Sequence, residues 1–120
     1  MRSHPLCEGK VREGEKVTGY LFGLFSQTAP VAYVKFIGVR SSHRNKGIGR
    51  LLYEHFTGIA RESGCKELKA ITSPADEGSV AFHRRLGMEL LGEPDERGIP
   101  VVKDYGGPGV DRIVFLKKIA

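Results

Sequence analysis

One stretch of this chain restricts its folding more than any other: Ile37-Gly38-Val39-Arg40-Ser41-Ser42-His43-Arg44-Asn45-Lys46-Gly47-Ile48-Gly49-Arg50-Leu51-Leu52. An apolar strand runs into a basic turn containing glycine, and an amphipathic helix begins directly after it. The first amides of a helix lack intrahelical acceptors and lie at the positive end of its macrodipole. Glycines let the backbone approach a ligand, and Arg44, Lys46 and Arg50 add positive charge. Strand, turn and helix therefore read as a phosphate-holding unit, with an anionic ligand as the first expectation.

Three kinds of phosphate-binding turn compete for this segment, and spacing separates them. A nucleoside-triphosphate loop needs Gly-Lys-Ser/Thr at its end, whereas Gly49 is followed by Arg50 and Leu51. A dinucleotide fingerprint needs a small residue where Leu52 stands, and an acidic residue ending a clear second strand, which is not found at the required distance. The third pattern, Arg/Gln-x-x-Gly-x-Gly/Ala after a strand, matches as Arg44-Asn45-Lys46-Gly47-Ile48-Gly49. It resembles the acetyl-CoA pyrophosphate loop of the GNAT N-acetyltransferase superfamily. Downstream, Asp76-Glu77-Gly78-Ser79-Val80-Ala81-Phe82-His83-Arg84-Arg85-Leu86-Gly87-Met88 resembles the superfamily's second landmark, a helix of the form Asn-x-x-Ala-x-x-Phe-Tyr-x-Lys-x-Gly-Phe. Order and separation also fit. The closing segment, with Gly98-Ile99-Pro100-Val101 and Asp104-Tyr105-Gly106-Gly107-Pro108-Gly109-Val110-Asp111-Arg112, is similar to the tail of one bacterial branch.

The resemblance implies an α/β (α+β) fold with a mixed, largely antiparallel sheet, a central βαβ unit and about two helices. Superfamily members ordinarily begin with a strand and one or two helices, and this sequence starts at the hairpin that follows them. The implied activity is transfer of acetyl from acetyl-CoA directly to a primary amine on a small molecule or peptide. Implied cofactor contacts are Ile37, Gly38 and Val39 for the pantetheine arm, with a bulge near Gly38. Arg44, Asn45, Lys46, Gly47, Ile48, Gly49 and Arg50 would hold the diphosphate, and Asp76, Ser79 and Arg85 lie on the second motif. His83 occupies the position of the superfamily's frequent tyrosine, beside the departing sulfur, and is the candidate proton donor. Tyrosine suits that task because its pKa of about 10 keeps it protonated, whereas histidine needs a raised pKa to be charged at neutral pH. Capping alone would account for Asp76, and a helix-end cation for Arg85.

No general base stands out. The strand before the glycine turn carries Tyr33 and Lys35 where many relatives have glutamate, and His4, Glu8, Asp104 and Tyr105 remain candidates. His43 reads as a loop residue near the diphosphate and His55 as a helix-face residue without assigned chemistry. An acyl-CoA-binding module that has lost catalysis is the alternative reading.

Local patterning gives the rest. Pro5 to Arg12 and Lys16 to Ser26 read as a hairpin around Glu13-Gly14, and Val31 to Val39 as a third strand. A helix from Gly47 to about Ser63 places Ile48, Leu51, Leu52, Phe56, Ile59 and Ala60 inward, with Gly64 as its stop. Lys66 to Thr72 forms a strand, and Asp76 caps a second helix with Val80, Phe82 and Leu86 inward. Met88 to Leu91 starts another strand, Gly92 to Val110 reads as irregular, and Arg112 to Lys118 makes the last strand. Six strands and two helices are expected.

A chain of 120 residues is the size of one small domain, spanning 1–120, with a single core. A net charge of +5 admits a polyanionic partner, but the excess is spread along the chain without interleaved aromatics, which argues against nucleic acid. Cys7 and Cys65 match no metal spacing, and no metal is expected. They read as plain thiols of a reducing compartment. No apolar run forms a signal peptide or a membrane span, so a cytoplasmic location is expected. Uncovered strand edges leave room for a homodimer.

Overall fold

Alternation along the chain decides the first strands. Leu21 and Phe25 are buried together with Gly19 and Gly23, while Tyr20, Phe22 and Leu24 between them are half-buried, so the two faces of this strand are covered unequally. The computed structural model describes residues 6–120. Strands β1 (Leu6–Glu13), β2 (Lys16–Phe25) and β3 (Val31–Val39) form an antiparallel meander, and Gly14 turns the first corner at φ 64°. Pro5 lies outside the described residues, as does His4, and the side chains of Cys7 and Glu8 are likewise outside them.

Two irregularities interrupt the meander. The register jumps between Val11↔Gly19 and Arg12↔Val17, leaving Thr18 without an opposite residue. Its buried hydroxyl donates to the Val11 carbonyl at 3.1 Å, which settles the polar group inside the sheet. On the other side of β2 the jump falls between Phe22↔Phe36 and Gly23↔Val34, so the extra residue is Lys35. The bulge expected near Gly38 thus lies three residues earlier (38 − 35). Gly38 itself pairs in register with Tyr20, and a Cβ placed on it would meet nothing within 4 Å.

Helix α1 (Ile48–Glu62) packs close to β2 because two glycines let it. A Cβ on Gly19 would lie 2.5 Å from the Ile48 side chain, and one on Gly23 would lie 2.6 Å from both Phe56 and the Tyr33 carbonyl. Phe56 stacks on Phe25 with ring centroids 5.8 Å apart. Gly49, Leu52, Tyr53, Phe56 and Ala60 are the buried positions. Leu51, expected inward, is 54% exposed, and Tyr53 takes the inward place instead. The cause is angular: Gly49, Tyr53, Phe56 and Ala60 recur at three- and four-residue steps, and Leu51 falls off that stripe. Burial pushes the Tyr53 phenol pKa well above its ordinary value. Gly64, at φ 89°, ends the helix as expected.

The described chain divides into two compact units, one running to Leu68 and including Lys118–Ala120, the other Lys69–Lys117. Strand β4 (Glu67–Thr72) begins in the first and continues in the second. Within the first unit, Lys66 N–H donates to the Pro30 carbonyl at 2.7 Å and Ile119 N–H to the Lys66 carbonyl at 2.9 Å. Arg61 Nε donates to the Ile119 carbonyl at 2.5 Å, which holds the last residues against α1.

The second unit contains helix α2 (Glu77–Arg85) and strands β5 (Glu89–Leu90), β6 (Glu93–Pro94), β7 (Pro100–Val101) and β8 (Ile113–Lys118). Strand β8 leaves this unit only at Lys118. Ile113, Val114 and Phe115 are fully buried, and β5 pairs antiparallel to β8 through Glu89↔Leu116 and Leu90↔Phe115. Val80 and Leu86 are buried as expected, but Phe82 is half-buried and its neighbour His83 is buried. The stretch expected to be irregular carries the two-residue pair β6–β7 and an isolated bridge between Val102 and Arg112. Its turn is made by Asp95, whose Oδ1 accepts from the Arg97 and Ile99 amides at 2.8 and 3.1 Å. Among the described residues there are eight strands where six were expected: the two additional ones, β6 and β7, are each two residues long, below what periodicity can register, while β5 is a shortened form of the expected Met88–Leu91 strand. The architecture is a mixed α+β one, mostly antiparallel, with two α-helices among the described residues.

Candidate active site

The basic turn grows out of the end of β3. Arg40 N–H donates to the Thr18 carbonyl at 2.8 Å and Arg40 Nε to the Val17 carbonyl at 2.6 Å, fixing the root of the turn to the bulged part of β2. A 3-10 turn over Ser41–His43 follows. His43 Nδ1 lies 2.8 Å from Ser42 Oγ, and its Nε2 lies 3.4 Å from Glu13 Oε1 on the first hairpin. Arg44 Nε donates to the Val39 carbonyl at 3.3 Å. Asn45 at φ 63° and Gly47 at φ 81° then take left-handed backbone, alternating with Lys46.

Gly47 is the N-cap of α1, and no side chain caps the helix. Its first turn holds no acidic residue, and the ladder opens with Leu51 N–H on the Gly47 carbonyl at 3.0 Å. A Cβ on Gly47 would meet nothing within 4 Å among the described residues, so the glycine itself faces open space. Arg44, Asn45 and Lys46 are exposed around it, as is Arg50, while Ile48 is half-buried and Gly49 buried. On β3, Gly38 is exposed between half-buried Ile37 and Val39. An uncapped helix start with left-handed residues and adjacent cations suits a multiply charged phosphate group.

The second motif lies in the second unit. Asp76 caps α2, its Oδ1 accepting from Ser79 N–H at 3.0 Å and its Oδ2 from Thr72 Oγ1 at 3.3 Å. Asp76 is exposed, Ser79 half-buried and Arg85 exposed.

His83 is 3% exposed, and its ring stacks on Phe115 with centroids 4.1 Å apart and planes 13° from parallel. Its Nδ1 lies 2.8 Å from the Ser79 carbonyl oxygen and 3.2 Å from Ser79 Oγ. A carbonyl only accepts, so the bond to it puts the proton on Nδ1. Burial lowers the His83 pKa, opposed by the Ser79 carbonyl and the Asp76 charge. In that neutral tautomer Nε2 carries a lone pair, which is the wrong state for a proton donor. The acid role expected of His83 therefore meets an obstacle in the environment of the ring.

Arg97, absent from the sequence-based candidates, organises the entry to α2. It donates to Glu77, to the Pro74 carbonyl and to Asp95 at 2.9, 2.7 and 2.8 Å. This partnership draws the Asp95 carboxyl below its usual pKa and raises that of Arg97. The sequence marked this stretch only as irregular, and the reach of Arg97 to residues some twenty positions away was not readable from it. An open cleft of about 660 Å³ is lined here by residues of the second unit, Ala75, Glu93, Arg97 and Lys103 among them, and by none of the basic turn. Among the described residues no cluster of His, Cys, Asp and Glu could hold a metal ion, and no helix is long and apolar enough to cross a membrane.

Residues 2–88 match the model of the acetyltransferase (GNAT) family, and the chain belongs to that family. An uncharacterised protein of Bacillus subtilis, YdhI, is 25% identical, the match covering 85% of this chain and 69% of that one. A Desulfovibrio desulfuricans protein assigned to the GNAT family is similar in structure, with a TM-score of 0.81 at 20% identity over 97% of this chain and 70% of its own. An aminoglycoside 6'-N-acetyltransferase solved with coenzyme A gives a TM-score of 0.77 at 16% identity over 97% and 74%. These structural likenesses establish the GNAT fold.

Proposed function

We propose that this protein transfers an acetyl group from acetyl-CoA directly to a primary amine of a small molecule or peptide. The observation that carries the reading is the start of α1: an open, left-handed Gly47 without a side-chain cap, flanked by Arg44 and Lys46. Backbone amides of Gly47, Ile48 and Gly49 are assigned to the diphosphate, with Asn45 and Arg50 beside them. Ile37, Gly38 and Val39 are assigned to the pantetheine amides, and Asp76, Ser79 and Arg85 are the cofactor contacts on α2. The membership in an acetyltransferase family and a relative solved with coenzyme A support this reading.

In the reaction the amine nitrogen attacks the thioester carbonyl, the carbon–sulfur bond breaks, the nitrogen sheds a proton and the thiolate gains one. Position and backbone polarisation, from Gly38 or Val39 N–H, are the means assigned to this chain. His83 is given no acid role while its proton stays on Nδ1; its contribution is to hold α2 on Phe115. With no general base singled out, acetyl-CoA binding without turnover is the second reading.

Thermal-shift titration with acetyl-CoA, then assay of a panel of amines for free thiol, separates the two. A shift with thiol release supports the transferase, and a shift without release supports the binding module. No shift at millimolar acetyl-CoA sinks both. Gly47→Val forces a β-branched residue into a left-handed conformation at a cost of about 1–3 kcal/mol. If that strain falls on the bound turn, affinity should drop by about tenfold to a hundredfold.

A further inference from the structure

Arg97 sits outside both motifs, yet its guanidinium reaches the chain on each side of the residue that caps α2. Nη1 donates to Glu77 Oε2 at 2.9 Å and Nη2 to the Pro74 carbonyl at 2.7 Å. Nη2 and Nε donate to Asp95 Oδ2 at 2.8 and 3.1 Å. Asp95 is itself fixed, since its Oδ1 accepts from the Arg97 and Ile99 amides. The fork is thus aimed by its own turn before it grips its target. Pro74 and Glu77 bracket Asp76, whose carboxylate receives Ser79 N–H. The entry segment's other bonds are local: Asp76 N–H to the Ser73 carbonyl at 3.1 Å, Glu77 N–H to the Ala75 carbonyl at 3.1 Å and Ala75 N–H to Ser73 Oγ at 3.3 Å.

We infer that Arg97 is a positioning residue for Asp76 and Ser79, fixing the direction in which α2 starts and through it the affinity for acetyl-CoA. The inference rests on the proposed role of Asp76 and Ser79 as cofactor contacts. Arg97 does not touch the cofactor in this scheme; it acts through the placement of residues that do. Its planar fork satisfies a carboxylate on each side and a carbonyl together, a combination a lysine point charge does not reproduce. Exposed ion pairs taken singly contribute little to stability. The expected effect is therefore on geometry at the helix start, where small displacements weaken binding.

The test measures acetyl-CoA kinetics and amide hydrogen exchange in the whole protein carrying Arg97→Ala, Arg97→Lys or Asp95→Asn. Arg97→Ala should raise KM for acetyl-CoA by about fivefold to tenfold with kcat within about twofold of the parent, as expected for lost ground-state positioning. Exchange in Glu77–Arg85 should accelerate while that in Ile48–Glu62 stays unchanged. Arg97→Lys should recover less than half of the KM effect, and Asp95→Asn should fall between parent and Arg97→Ala. Unchanged KM with unchanged α2 exchange overturns the inference. So does equal acceleration in both helices, or full rescue by lysine. If the parent binds acetyl-CoA without turnover, its dissociation constant takes the place of KM in every comparison; if it fails to bind, the cofactor reading falls by itself, and α2 exchange still decides whether Arg97 positions the helix. Should Arg97→Ala fail to fold, Asp95→Asn carries the same comparison at smaller amplitude.

Discussion

The start of α1 and the start of α2 are shaped by opposite means. Ahead of α1 the chain turns through left-handed Asn45 and Gly47, with no side-chain cap and open space above the glycine. At the start of α2, side chains determine the shape: Asp76 caps, Arg97 grips Pro74 and Glu77, and within the helix His83 bonds the Ser79 carbonyl of the first turn. A backbone-built helix start leaves its amides available to an outside anion, whereas a side-chain-built one has already met its needs internally. The first is suited to charge recognition, and the second to holding a fixed place.

Substitutions beneath and within these two helix starts should separate them. The largest effect belongs to Gly23→Ala, which brings a methyl to 2.6 Å from both Phe56 and the Tyr33 carbonyl. The aromatic can shift more readily than the strand, and overpacking of this kind costs about 1–3 kcal/mol, measurable by urea denaturation. A variant as stable as the parent would mean that α1 does not depend on that close approach. Asp76→Ala comes next, at about 1 kcal/mol for a lost cap, and should speed exchange in α2 without altering α1. Equal acceleration in both would blur the contrast.

The smallest effect is a pH dependence peculiar to the second helix. Because burial lowers the His83 pKa in the folded state, the unfolded chain binds the proton first as pH falls below its ordinary value of about 6.5. The contribution of the neutral ring is whole above that pH and is lost progressively below it, until the folded-state pKa is passed. The melting temperature should therefore drop between pH 7.5 and 5 more steeply than in His83→Gln. Parallel slopes would show that the imidazole titrates normally in the folded protein.

Periodicity made the long elements legible. Val31–Val39 was readable to its ends, and α1 to within a residue, because branched residues, Gly47 and Gly64 mark the boundaries. It failed where one residue's angle mattered. Leu51 looked like core because it is apolar, while Tyr53, which lies on the buried stripe, was not among the residues expected inward. The bulge was sought at Gly38 on the logic that glycine marks irregularity, but the extra residue is Lys35, whose long side chain is exposed. Of the candidate site, the basic turn and the Asp76 cap could be read because both depend on neighbours in sequence. The surroundings of His83 could not, since Phe115, which covers its ring, lies 32 positions downstream (115 − 83).

Thr18, the unmatched residue of β2, lends its carbonyl to Arg40, and Val17 next to it receives the same arginine's side chain. Lengthening the chain at the Gly14–Glu15 corner should leave that docking point where it is, so the corner is a natural place for an affinity tag or a fused peptide. Deleting Thr18 would instead slide the arginine's berth along by one peptide unit and carry the whole basic turn out of alignment. Two sites four residues apart thus differ sharply in what an engineer, or an evolving gene, can do to them.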